Sequence, residues 1–339
     1  PRLVPVTVPG TLGYGAGLLV GGAGGWFWQS RGASPEVDVS SGQRAAMEKV
    51  VREYILTHPE ILPEAVPAAA VAQPAIDPTV PALTINKSAQ VIVLGYHDFT
   101  VGKSRNPMEI NVDHFREQMQ ALKDARLPVI SMADFLSWRR GEKDIPDPSV
   151  VITMDDGWVG VYQIAYPILK EFGFPFTVYL YKKYVNTGGR AMTWEQIKEM
   201  MANGCEIGSH TVSHDYLSNV RYSKAKVMPE EAYQLRLLTE LKDSKEFLEQ
   251  NLGIKVTSIA YPYGAHSPQV EETSLQVGYE AGLTVSPQKV GWETPNGKLS
   301  RYIVHGEEDT VFKSATSFRG KGEIGNSKTL ATDAKDPEG

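Results

Sequence analysis

In "VVITMDDGWVGVY", residues 150–162, an apolar run ends in two adjacent carboxylates, Asp155 and Asp156, and a glycine follows at once. Two ionised neighbours repel each other, so a cation, either a metal or a substrate, is expected beside them. "HTVSH" spaces His210 and His214 by four residues, which on a helical turn brings both imidazoles to one side. Two neutral imidazoles and one carboxylate oxygen suit zinc or a similar divalent ion and leave a coordination position open for water. The second carboxylate is then free to take a proton. An HxxxH pair alone says little, because surface histidines are common; beside an Asp-Asp-Gly it predicts a metal site. His97 after "VIVLGY" and the turn "YPYG" after "VTSIA" also stand where apolar runs end.

The elements that carry these residues alternate. "VIVLGY", "VVITM", "PFTVYLY", "CEIGS", "VTSIA", "AGLTVS" and "LSRYIV" read as short buried strands. Between them lie amphipathic segments such as "NVDHFREQMQALKDARL" and a long helix from about Pro229 to Leu252. Repeated β-α units with continuously apolar strands predict a parallel sheet covered by helices. No glycine-rich phosphate loop follows the first strand, which disfavours a dinucleotide fold and leaves an α/β barrel. In such barrels polar residues at the C-terminal strand ends build the active site.

On these motifs the segment from about residue 90 to about 310 resembles the polysaccharide deacetylase family, the NodB-homology or carbohydrate esterase family 4 domain. "TMDDG" is close to that family's "TFDDG", "HTVSH" matches its second motif, and "YPYG" resembles its third. The resemblance implies a distorted (β/α)7 barrel and a hydrolase that removes N-acetyl groups from a polysaccharide. It implies Asp155 as general base and Asp156, His210 and His214 as ligands of a divalent metal, zinc first, with cobalt, nickel or iron as alternatives. For the oxyanion of the substrate, the backbone N–H in the turn at Tyr263 is the candidate donor. Two features depart from the usual pattern. Ala260 stands in the region where an arginine that orients the base is usual, and Arg301 in "LSRYIV" is the candidate replacement. The general-acid histidine is taken as His97, ahead of the Asp-Asp motif, with His305 in "IVHG" as its rival. An early "YH" together with "AYPYG" is similar to the poly-β-1,6-N-acetylglucosamine deacetylase branch.

The rest of the chain sets the context. With 339 residues, 42% hydrophobic and 22% charged, there is ample chain to enclose a core. A net charge of −6 disfavours a nucleic-acid partner. The one cysteine, Cys205, excludes an intramolecular disulfide and, within an apolar strand, is expected to be an inert buried thiol. Residues 1–32 form an apolar, glycine-rich leader, uncharged between Arg2 and Arg31 and ending in Trp26-Phe27-Trp28; a membrane anchor or signal is expected. A short amphipathic helix within 33–62, a Pro/Ala-rich linker at 63–89, the deacetylase domain at 90–315 and a disordered tail at 316–339 complete the expected layout. The expected setting is therefore the cell envelope, facing the periplasm or exterior. Two other readings stay open: a metal-dependent amidase or esterase acting on another acylated substrate, and a non-catalytic glycan-binding module. Release of acetate from N-acetylglucosamine oligomers discriminates them.

Overall fold

The computed structural model describes residues 83–218, 228–306 and 309–317. The chain divides into two units, 1–80 and 81–339, and all the described residues belong to the second. The expected leader (1–32), the short helix (33–62), most of the linker and the tail beyond Ser317 lie outside the described residues. Among the described residues no helix is long and apolar enough to cross a membrane. Residues 83–89 run along the second unit, with Ala89 buried and the Asn86 carbonyl accepting from the Trp138 indole.

The chain order is β1 (Val91–Tyr96), β2 (Asp98–Thr100), β3 (Glu109–Asn111), α1 (Val112–Asp124), α2 (Met132–Arg139) and β4 (Ser149–Met154). After a π-helical turn at Val161–Ala165 come α3 (Tyr166–Phe172), β5 (Phe176–Leu180), α4 (Trp194–Met201), β6 (Cys205–Ser209) and α5 (Glu230–Leu252). The last elements are β7 (Ser258–Ala260), α6 (Pro268–Val277), β8 (Ala281–Leu283), β9 (Tyr302–Ile303) and α7 (Thr310–Thr316). Seven strands form one parallel sheet in the order β8-β7-β6-β5-β4-β1-β9, while β2 and β3 pair separately. The stretch "PVIS" contributes only a single bridge from Val129 to Val150.

The sheet curls because its last segment serves both edges. Leu299 pairs with Leu283 of β8, and three residues later Tyr302, with Ile303 after it, pairs with β1. The distorted (β/α)7 barrel expected from the sequence is therefore present, joined through the segment that carries Arg301. Strand side chains alternate between two apolar clusters. Ile92, Leu94, Val150 and Ile152 face the surrounding helices. Val91, Val93, Val151 and Tyr179 face inward and meet Phe135 and Trp138 of α2. Burial on both faces explains why the strands read as continuous apolar runs. Cys205 is buried in β6, and burial pushes its thiol pKa upward, away from reactivity.

Candidate active site

Alternation explains why two neighbouring aspartates can serve different ends. Asp155 continues the inward-facing series of Val151 and Thr153 just beyond the end of β4. There it meets Arg301, whose Nη1 and Nη2 donate to Oδ1 and Oδ2 at 2.7 and 2.8 Å. Arg301 is itself fully buried and donates through Nε to the Thr284 carbonyl at 3.0 Å and through Nη1 to Thr153 Oγ1 at 3.3 Å. Burial alone would raise the Asp155 pKa, but Arg301 and His210 outweigh it and hold the carboxyl below its ordinary range.

Asp156 breaks the strand with φ 73°, and Gly157 follows at φ 86°. A Cβ on Gly157 would come within 2.6 Å of Leu180, so this turn needs glycine. The turn sets Asp156 Oδ1 3.1 Å from His214 Nε2 and 3.4 Å from His210 Nε2. The ligand atoms of Asp156, His210 and His214 lie within 4.8 Å of one another. His210 Nδ1 is 2.7 Å from the Ala260 carbonyl and can only donate to it, so in the neutral ring Nε2 carries the lone pair and faces the carboxylate. Asp156 Oδ1 is accordingly buried without a hydrogen bond. One carboxylate oxygen and two imidazole nitrogens converging on one point are the donor set a divalent cation fills once both rings are neutral.

The histidine pair departs from expectation in one respect. "HTVSH" is not a helical turn; residues 210–214 form an irregular loop in which Thr211 (φ 73°) and His214 (φ 61°) adopt the left-handed conformation. Two such residues fold the loop back sharply enough to bring the rings to 4.8 Å between centroids. Of the six non-glycine residues with positive φ among the described residues, four (Asp156, Thr211, His214 and Tyr263) lie at this site, where backbone strain tends to collect. Glu240 of α5 holds the loop from behind, an anchor that sequence reasoning missed. Its Oε2 accepts from the Val212 and Ser213 amides, each at 2.9 Å, and its Oε1 from the Ser213 hydroxyl at 2.6 Å. The helix reads as ordinary in sequence, and no local pattern marks Glu240. Glu240→Ala would strand those donors, and an expected loss of about 1–3 kcal/mol follows. Urea denaturation measures it; a change within about 0.5 kcal/mol would show that the loop does not depend on Glu240.

A cavity of about 590 Å³ opens over these groups. Asp155, Asp156, His210, His214 and Tyr263 line one side, and Met108, Val285, Pro287, Ile303 and Val311 form an apolar wall. Both His97 and His305 line it too, so the structure brings the two rival acids to the same space. His97 Nε2 is 3.9 Å from Asp155 Oδ2. Burial lowers the His97 pKa, and although Asp155 and Asp156 raise it, Arg301 and His210 add to the lowering and the net shift is downward. Tyr263, with φ 59° in the "YPYG" turn, is 54% exposed, stacks on Tyr216 at 4.4 Å and meets the His214 ring edge-on. Tyr261, by contrast, is core, its hydroxyl bonded to Ser274 and the Gly297 carbonyl. His114 and His266, outside the metal cluster, have carboxylate partners in Asp309 and Glu271.

Residues 142–282 match the family model described as polysaccharide deacetylase. A short second match, residues 43–68 to the N-terminal domain of copper resistance protein ScsC, falls outside the described residues. Over 203 residues the chain is 27% identical to the poly-beta-1,6-N-acetyl-D-glucosamine N-deacetylase of Staphylococcus aureus (strain MSSA476), covering 58% of this chain and 67% of that one. The chain spans 66–67% of the length of the curated relatives it matches. Among solved structures it is similar to the Streptococcus pyogenes deacetylase PplD in complex with acetate, with 25% identity, a TM-score of 0.57 and coverage of 64% and 93%. It is likewise similar to IcaB from Ammonifex degensii, with 25% identity, a TM-score of 0.57 and coverage of 68% and 98%.

Proposed function

Because this chain carries a polysaccharide deacetylase domain of the NodB-homology type, and so is a hydrolase of carbon–nitrogen bonds, we propose that it performs metal-dependent N-deacetylation of an N-acetylhexosamine polymer of the cell envelope. A poly-β-1,6-N-acetylglucosamine-like glycan is the first candidate, on the names of the relatives and the early His97. Such polymers lie outside the cytoplasm, which places the domain facing the periplasm or exterior; the apolar segment at 1–32 would tether it there, as membrane fractionation of the full chain checks. The observation that carries the reading is Asp156 Oδ1, buried without a hydrogen bond before two imidazole nitrogens, with Asp155 beside it on Arg301.

A divalent ion held by Asp156, His210 and His214, most simply zinc, would acidify water and polarise the acetamide carbonyl. Asp155 takes the proton of the attacking water, and Arg301 keeps it ionised and fixed in direction until then. The Tyr263 N–H donates to the oxygen that gains charge as the carbonyl becomes tetrahedral. His97 delivers a proton to the departing sugar amine, which leaves poorly as an anion. Burial keeps His97 below its ordinary range, so the proton it delivers is the one Asp155 took from water, passed on to the facing imidazole and leaving Asp155 ionised again. The exposed face of Tyr263 offers a sugar ring a stacking surface.

The test is acetate release from β-1,6-linked N-acetylglucosamine oligomers, abolished by a chelator and restored by zinc or cobalt. A metal-loaded sample inactive on these, on chitin oligomers and on peptidoglycan would sink the reading. The same assay assigns the acid. His97→Gln is expected to lower kcat by about 10²–10⁴, and His305→Gln to change it by less than about tenfold; the reverse ranking would transfer the role to His305.

A further inference from the structure

We propose that Trp158 is a positioning residue that makes Asp156 a one-oxygen metal ligand, and that Arg190 holds Trp158 in the pose that does so. The inference rests on the metal reading above. Trp158 Nε1 donates to Asp156 Oδ2 at 2.9 Å, so this oxygen is occupied and oriented. The other, Oδ1, is the atom that faces His210 and His214. A carboxylate with both oxygens free can close on a cation through both; with one engaged by an N–H it offers only the other. One oxygen and two nitrogens then leave more of the coordination sphere for water and substrate.

The indole is itself fixed from several directions. The Arg190 guanidinium lies over its ring at 4.9 Å, and Tyr184 meets it edge-on at 5.1 Å. Arg190 is pinned in turn by two buried carboxylates, Asp98 and Glu109. The backbones are tied as well: Trp158 bridges Ala191, and the Val159 amide donates to the Arg190 carbonyl at 2.7 Å. Gly160 lets this turn lie against Asp98; a Cβ there would come within 2.3 Å of Asp98 Oδ1. The result is a continuous line from the β2–β3 pair through Arg190 and Trp158 to Asp156 Oδ2, the oxygen beside the ligand atom. Arg190 keeps half its surface in solvent yet gives its face to the indole, an arrangement a simple ion-pair staple would not need.

The test titrates metal-free full-length protein with Co²⁺ alone and follows visible absorption, with Trp158→Phe and Arg190→Lys beside the wild type. Trp158→Phe keeps an aromatic ring in place and removes the donor together with the five-membered ring that carries it. Its cobalt dissociation constant is expected to rise about 10- to 100-fold, with weaker absorption per bound cobalt as Asp156 closes on the ion through both oxygens. Arg190→Lys keeps the charge but loses the flat stack, and is expected to shift both readouts the same way by less. It also carries the test should the phenylalanine variant fold poorly. Cobalt bound by wild type and Trp158→Phe with the same affinity and spectrum would overturn the positioning role alone. No cobalt bound by the wild type would overturn the metal reading and this role with it.

Discussion

Arg301→Met is expected to cost about 3–5 kcal/mol of folding stability and to lower kcat by about 10²–10⁴. The reason is that it strands a carboxylate rather than merely deleting a contact. Arg301 and Asp155 are 0% and 3% exposed and share two parallel hydrogen bonds, so neither has water to fall back on. Breaking such a pair from one side leaves an uncompensated buried charge, and the Thr284 carbonyl loses its donor too. Methionine fills much of the volume, so the cavity contribution is small and the electrostatic one is isolated. Two further variants sharpen the result. Arg301→Lys keeps the charge but not the planar fork and is expected to recover only part of the activity. The double variant Arg301→Met/Asp155→Asn is expected to be less destabilised than the two single losses added together, because the stranded charge is gone. Chemical denaturation and acetate release measure both effects. Should Arg301→Met unfold within about 1 kcal/mol of wild type and keep its kcat, the ion pair is neither a structural nor a catalytic necessity.

Arg301 also marks how far the sequence could be read. The aspartates and the histidine pair were legible because polar side chains at the ends of apolar runs stand out, and the (β/α)7 frame was legible because strands buried on both faces leave unbroken apolar text. Arg301 could be nominated only by type, since its meeting with Asp155 depends on how the last strand bridges β8 and β1, a register that no local pattern encodes. The shape of "HTVSH" was misread for a related reason: spacing suggested a helical turn, whereas Thr211 and His214 take left-handed conformations that their residue types do not announce. Glu240 and Trp158 are hidden differently, one on an unremarkable helix and one just past the Asp-Asp-Gly, because their hydrogen bonds exist only in the folded chain. Arg301 also bears on the non-catalytic alternative. The absence of an arginine near Ala260 was the one departure that favoured it, and the guanidinium is supplied from another strand.

The sharpest division of labour is between the two adjacent aspartates, and one pair of isosteric changes separates them. Asp155→Asn is expected to lower kcat by about 10²–10⁴ while one metal ion per chain is retained, since Asp155 touches Arg301 rather than the imidazole pair. Asp156→Asn is expected to lose the metal itself, because an amide in that place brings no charge to a set otherwise made of two neutral nitrogens. Its activity should fall at least as far and should return in part at high metal concentration, which the Asp155 variant cannot do. The comparison works because the carboxylates sit one residue apart yet face different partners: alternation carries Asp155 inward, and φ 73° at Asp156 turns the next side chain to the histidines. Elemental analysis with acetate release reads both outcomes. A metal-free Asp155→Asn, or an Asp156→Asn that keeps its full metal content, would reverse the two roles. A single cation would then no longer explain why the chain tolerates the pair, because the charge it neutralises would belong to the residue that already has Arg301.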